Sequence, residues 1–136
     1  MSQPNKMNDA DYTLLADFRA TLRTFMAFSE TQARNVGLTP QQHQALLSIR
    51  GTAPGNATVG YVAERLMLKP HSASGLLSRL EEAGLVMRKS DPTDQRRTFL
   101  QLTEEAEQLL ESLSLAHLEE LSNLKPMLLS MINQFC

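Results

Sequence analysis

Tryptophan is absent from this chain of 136 residues, cysteine occurs once, and aromatic residues make up only 5% of it. Cys136 can close no internal disulfide and has no CxxC partner, so it supplies neither a structural zinc site nor a redox pair; it reads as an incidental thiol. So few rings argue against a large stacking pocket. Long apolar runs are missing too: the longest is a few residues, against the roughly 20 that span a bilayer. The opening MSQPNKMNDADY lacks the basic segment and apolar core of a secretion signal. The expectation is a cytoplasmic protein with no membrane partner. Also missing are a nucleophile elbow, a phosphate loop, a paired-carboxylate motif and a cluster of metal ligands, which argues against an enzyme and against a cofactor.

The net charge of −2 hides an uneven distribution. Residues 65 to 102 carry seven Lys and Arg (Arg65, Lys69, Arg79, Arg88, Lys89, Arg96, Arg97) against four Asp and Glu, a surplus of three positive charges. From residue 103 onward Lys125 faces six glutamates, a surplus of five negative charges. One lobe is thus built to meet a polyanion and the other is not.

Apolar periodicity organises the rest. Over residues 9 to 35, Tyr12, Leu15, Phe18, Leu22, Phe25 and Met26 recur at threes and fours, the stripe of a long amphipathic helix, with Gly37 at its end. Thr39, Pro40 and Gln42 are the cap, first-turn proline and capping-box residue of a second helix that stops at Gly51. After the loop GTAPGN, Ala57 to Val59 predict a very short strand, and residues 60 to 67 a short helix. Pro70 opens a helix to about residue 83, with Ala73, Leu76, Leu77 and Leu80 inward and Gly84 past its end. Its other face shows His71, Ser72, Ser74, Ser78 and Arg79.

Two short helices joined by a tight turn fit a helix-turn-helix, whose second helix enters a major groove where small hydroxylated side chains read base edges. They fit a plain helical hairpin equally well. The following segment favours the first reading. Leu85 to Met87 and Thr98 to Leu102 predict two strands around a charged tip, residues 90 to 97, and a hairpin placed there makes a winged helix-turn-helix with a basic tip for a minor groove. Within that tip Asp94 should pair with Arg96 and order it.

Thr103 caps a last long helix whose first turn holds Glu104 and Glu105. Its stripe, Ala106, Leu110, Leu113, His117, Leu121, Leu124, Leu128 and Met131, is too long for one small domain to cover, and Pro126 should break or kink it and start a short terminal helix. With the first helix it predicts the interface of a homodimer. The expected fold is mainly α with a small β-hairpin wing (α+β). It forms a single domain over residues 1–136, with a DNA-binding lobe over about 39–102 and a dimerisation region over about 9–36 and 103–136.

The segments "LTPQQHQALLSIRG", "VGYVAERLMLKPHSASGLLSRLEEAGLV" and above all "DPTDQRRTFLQLTEEAE" give the chain a resemblance to the MarR family of bacterial transcriptional regulators, whose wing carries D-x-x-D-x-R followed by a strand and "LT". The resemblance covers nearly the whole chain. It implies a homodimer on a pseudo-palindromic double-stranded DNA operator, usually a repressor, whose affinity a small aromatic or anionic effector tunes. It makes residues 70 to 83 the recognition helix, Arg79 a phosphate contact, Arg96 the minor-groove arginine and Asp94 the acid that shapes its loop. The reactive N-terminal cysteine of the thiol-sensing branch is missing.

The DNA-contacting residues expected are therefore Lys69, His71, Ser72, Ser74, Ser78, Arg79, Arg88, Lys89, Arg96 and Arg97, with Asp91 and Asp94 shaping the wing. In the family that the chain resembles, the effector pocket lies between the dimer helices and the DNA lobe, which makes Phe25, Phe28, His43 and Arg50 the expected pocket. Two other readings stand beside this one, a metal-responsive regulator of the same fold and a winged-helix module that binds protein. Against the first, His43, His71 and His117 lie apart in the sequence with no cysteine or clustered histidine nearby, so no metal site is expected.

Overall fold

The computed structural model describes residues 6–135; Cys136 lies outside them. Helix α1 (Asp9–Asn35) starts at a capping box in which Asn8 and Asp11 each accept the other's backbone N–H, at 2.9 and 3.1 Å. Helix α2 (Pro40–Arg50) starts the same way: Thr39 accepts from the N–H of Gln42 and Gln42 from that of Thr39. Helix α3 (Val59–Leu66) is capped by Thr58, and α4 (Pro70–Glu82) follows after three residues with Pro70 in its first turn. Strands β1 (Val86–Ser90) and β2 (Thr98–Leu102) pair antiparallel, Val86 opposite Leu102 and Ser90 opposite Thr98. Helix α5 (Glu104–Phe135) completes the chain.

One apolar core joins these elements. Leu46 and Ile49 of α2, Val62 of α3, Leu76, Leu77 and Leu80 of α4, Val86, Leu100 and Leu102 of the hairpin, and Leu110 and Leu113 of α5 are all buried in it. Removing that much apolar surface from water holds the lobe together and fixes how α4 and the hairpin sit. Thr103 adds a polar tie where α5 begins: its hydroxyl accepts from the N–H of Ala106 at 3.2 Å and donates to the Gly84 carbonyl at 2.8 Å. The end of α4 is thereby linked to the start of α5 across the wing.

Three expectations need correction. Ala57 to Val59 form no strand: Val59 already belongs to α3, although the Ala57 carbonyl accepts the N–H of Leu100 at 2.7 Å and so covers part of the outer edge of β2. Strand β1 begins one residue later than predicted and runs on to Ser90, because the polar residues Arg88 to Ser90 are drawn into pairing by β2. Pro126 starts no new helix, since α5 continues through it. The proline has no N–H to donate to the carbonyl of Ser122, an exposed residue. Leu124 and Met127 on either side line a small cavity with Asp17, Ala20 and Thr21 of α1, and the Thr21 hydroxyl donates to the Met127 sulfur at 2.6 Å.

The long helices leave apolar surface uncovered. Tyr12, Leu15, Phe18, Leu22 and Met26 of α1 are exposed, as are Leu115, Leu118, Leu121, Met127, Leu129 and Ile132 of α5. By contrast Ala106, Leu110 and Leu113, at the start of the predicted α5 stripe, are buried within the chain. Leu115, Leu118 and Ile132 lie outside that stripe, so α5 is apolar over more than one face.

Candidate nucleic-acid interface

The wing is ordered by contacts between near neighbours. Asp91 accepts from both the N–H and the hydroxyl of Thr93, at 2.8 and 2.7 Å. Those two bonds, with help from the charge of Arg97, hold its carboxyl below the usual range, so it stays ionised. Asp94 accepts from the backbone N–H of Arg96 at 3.1 Å and from its guanidinium Nε at 3.2 Å. The N–H of Arg97 donates to the Asp94 carbonyl at 3.0 Å, while that of Asp91 reaches the Arg97 carbonyl at the mouth of the hairpin. The outcome is a closed turn whose acids point their acceptors inward and leave the Arg96 side chain 92% exposed.

The two wing arginines part company. Arg97 leans back toward the loop before α3, its guanidinium 3.4 Å from the Gly55 carbonyl, and Arg96 alone projects from the tip. Arg88 is also occupied, its Nε 3.2 Å from Glu81 at the end of α4. Lys89 is exposed and has no ion-pair partner among the described residues. On α4, His71, Ser72 and Arg79 are exposed, Ser74 and Ser78 half-buried, and Lys69 is exposed at the helix start. The structure therefore places the predicted DNA residues on α4 and the hairpin directly behind it, with the buried Leu76, Leu77 and Leu80 as the opposite face of the same helix.

Of the four predicted effector residues, three come together and Arg50 stays apart. Phe25 and Phe28 of α1 and His43 of α2 converge on a ring the prediction left out, His117 of α5, with centroids 5.8, 5.3 and 5.0 Å away. His117 is held by the Leu113 carbonyl at 2.6 Å through Nδ1 and by the Ser29 hydroxyl at 2.8 Å through Nε2. The carbonyl only accepts, so Nδ1 carries a proton and, in the neutral ring, the serine donates to Nε2. His43 is 2% exposed, and burial together with the nearby His117 pushes its imidazole below the ordinary range.

Two sequence readings are revised here. The histidines are not all dispersed, since His43 and His117 meet through the fold; among the described residues no group of three or more His, Cys, Asp or Glu is placed to hold a metal. Arg50 shares a helix face with His43 but lies two turns, about 10 Å, further along α2. Its Nε instead meets Glu107 near the start of α5 at 2.8 Å. Helices α2 and α5 are thus tied at one end by paired rings and at the other by an ion pair. An open cleft of about 460 Å³ lies elsewhere, between α1, α2 and α3, with Met26, Gln44, Leu47, Tyr61 and Arg65 among its walls; none of the four predicted residues lines it.

A tight α3–α4 pair followed by a twisted hairpin on the same core defines a winged helix-turn-helix protein. Comparison with known proteins narrows the class. The MarR family model matches residues 36–97. The repressor MdtR of Bacillus subtilis is 31% identical over 101 residues, 74% of this chain and 61% of that protein. Among solved structures, a point mutant of Staphylococcus aureus MepR bound to an oligodeoxyribonucleotide superposes with a TM-score of 0.68 at 21% identity, covering 96% of this chain and 100% of that one. CouR of Rhodococcus jostii bound to p-coumaroyl-CoA gives 0.65 at 26% identity, over 83% and 75%. Over residues 36–97, from the end of α1 to the wing, the chain is similar to the MarR family. Its matches to three curated relatives span 32%, 64% and 61% of those relatives' lengths.

Proposed function

We propose that the protein is a non-enzymatic, DNA-binding transcriptional regulator that acts as a homodimer, places α4 in a major groove and inserts Arg96 into the flanking minor groove. The observation that carries this reading is the preordered wing: an arginine held by Asp94 at the tip of a hairpin and otherwise open to solvent. An arginine fixed before binding loses less entropy on meeting the narrow, electronegative minor groove. Lys69, Arg79 and Lys89 supply phosphate contacts that set register, and Arg88 joins them once released from Glu81; His71, Ser72, Ser74 and Ser78 are positioned for base edges. Arg97 stiffens the wing against the loop at Gly55. The exposed apolar faces of α1 and α5 fit a second copy of the chain, and two-fold symmetry gives a pseudo-palindromic operator.

Repression follows MdtR, named a repressor, and release by a small aromatic or anionic effector follows the CouR complex with an acyl-CoA thioester. The test is DNA binding by the full chain at several salt concentrations, alongside its mass in solution by light scattering. The expected result is a dimer whose log affinity falls linearly with log salt, with Arg79→Ala weakening all sequences alike and lowering that slope by about one. A monomer, or an Arg79→Ala variant with unchanged affinity and slope, refutes the corresponding part.

A further inference from the structure

Three helices of this chain close with the same turn. In each, a residue just past the helix end donates its N–H to a carbonyl five residues back: Leu38 to Ala33 at 2.9 Å, Leu68 to Ala63 at 2.8 Å and Leu85 to Leu80 at 3.0 Å. This is the Schellman motif, and the residue just before that donor takes the left-handed conformation. After α1 and α4 that residue is glycine, Gly37 with φ 82° and Gly84 with φ 75°. After α3 it is Met67, with φ 57°, the only non-glycine residue of positive φ among those described.

Glycine takes this conformation freely, whereas the Cβ of methionine crowds the backbone there. Packing inside the chain gives no compensation. Met67 is 92% exposed, the most open of the large apolar side chains among the described residues, and the core contact of the turn comes from Leu68 instead. Strain at an exposed residue points to use outside the molecule. The surroundings say what kind. Arg65 and Lys69, both exposed, stand two residues away on either side, and exposed His71 and Ser72 follow in the first turn of α4. Two flanking cations suit a polyanion better than an apolar protein surface.

We propose that Met67 is a specificity-determining DNA contact, its thioether chain packing on a thymine methyl and the adjoining deoxyribose at the edge of the groove that receives α4. This inference rests on the DNA-binding reading above. The thymine methyl is the apolar mark that distinguishes that base in the major groove, and an unbranched, polarisable side chain can follow its outline. Arg65 and Lys69 hold the phosphates on either side and set the register.

The test uses the full chain and a DNA duplex that the wild type has selected from a random-sequence pool. Met67→Gly removes the side chain and relieves the turn, so its Tm should equal or exceed that of the wild type. Its affinity should fall about five- to tenfold, the equivalent of losing one to two buried methylenes, with an unchanged salt slope because no phosphate contact is lost. Repeating the selection with this variant should erase a thymine preference at one position per half-site, and Met67→Leu should restore most of the affinity. Should Met67→Gly melt lower, Met67→Asn, which tolerates the left-handed turn, is read by the same criteria. Affinity within twofold of wild type, or a loss with the thymine preference intact, overturns the proposal. Loss of a protein partner alone, with DNA binding unchanged, overturns it as well. If the wild type selects no sequence and binds no DNA, the DNA-binding reading has failed, a result distinct from a defect confined to Met67 variants.

Discussion

Replacing Asp94 with alanine takes a negative charge off a surface proposed to meet a polyanion, and net-charge reasoning predicts tighter DNA binding. The geometry predicts the opposite. Asp94 accepts from the Arg96 guanidinium at 3.2 Å and from its backbone N–H at 3.1 Å, and Arg96, 92% exposed, has no other ion-pair partner among the described residues. Without Asp94 the arginine must be immobilised during binding, at a cost of about 0.5–1.5 kcal/mol. Against this, removing a unit charge about 10 Å from one phosphate gains about 0.4 kcal/mol in water and about 0.1 kcal/mol after physiological screening. The ordering effect wins by roughly 1 kcal/mol, a Kd about fivefold weaker. Stability should hardly move, because an exposed pair contributes about 0–1 kcal/mol. Asp94→Asn separates the two effects: it keeps an acceptor for both N–H groups but drops the charge, so it should lie between alanine and wild type. Fluorescence anisotropy with labelled DNA at several salt concentrations reads all three proteins. If Asp94→Ala binds as tightly as wild type, or more tightly, the preordering argument is wrong.

His43 makes stability depend on pH. Its imidazole sits below the ordinary value of 6.5 in the folded chain, so the unfolded chain takes up a proton first as pH falls; the stability contribution is complete above pH 6.5 and is lost as pH drops beneath it. Urea midpoints between pH 8 and pH 5 should fall more steeply for wild type than for His43→Leu, and parallel profiles refute the assignment. Leu77→Ala in α4, fully buried, should cost about 2–5 kcal/mol through lost burial and the cavity left behind. Chemical denaturation checks it, and a cost below about 1 kcal/mol would show that the core beneath α4 is loosely packed.

Features that arise between residues a few positions apart were legible in advance. The Thr39 and Gln42 capping box, the Thr103 cap, and Gly37 and Gly84 past their helices each act over one turn of chain, so residue type and spacing suffice to place them. The wing is of the same kind: Asp91 meets Thr93 and Asp94 meets Arg96 two residues on. Hence the most specific element of the candidate interface could be read from one short stretch. Met67 escaped notice for the converse reason. Its left-handed conformation shows only in the folded backbone, and a methionine carries none of the conformational signal that a glycine would.

Most helices, the hairpin of the wing and the basic stretch were written in the chain, because each follows from periodicity, caps and charges that neighbouring residues define. Only the tertiary structure decided which distant side chains meet. Antiparallel packing of α2 on α5 sets His43 against His117 and Arg50 against Glu107, so that three of the four residues expected at an effector pocket, Phe25, Phe28 and His43, gather around His117 while Arg50 stands apart. Helix α5, packed on α1, likewise runs on through Pro126. These contacts join residues far apart in the chain, and they depend on which apolar faces find each other when the core closes, a choice that no local pattern encodes.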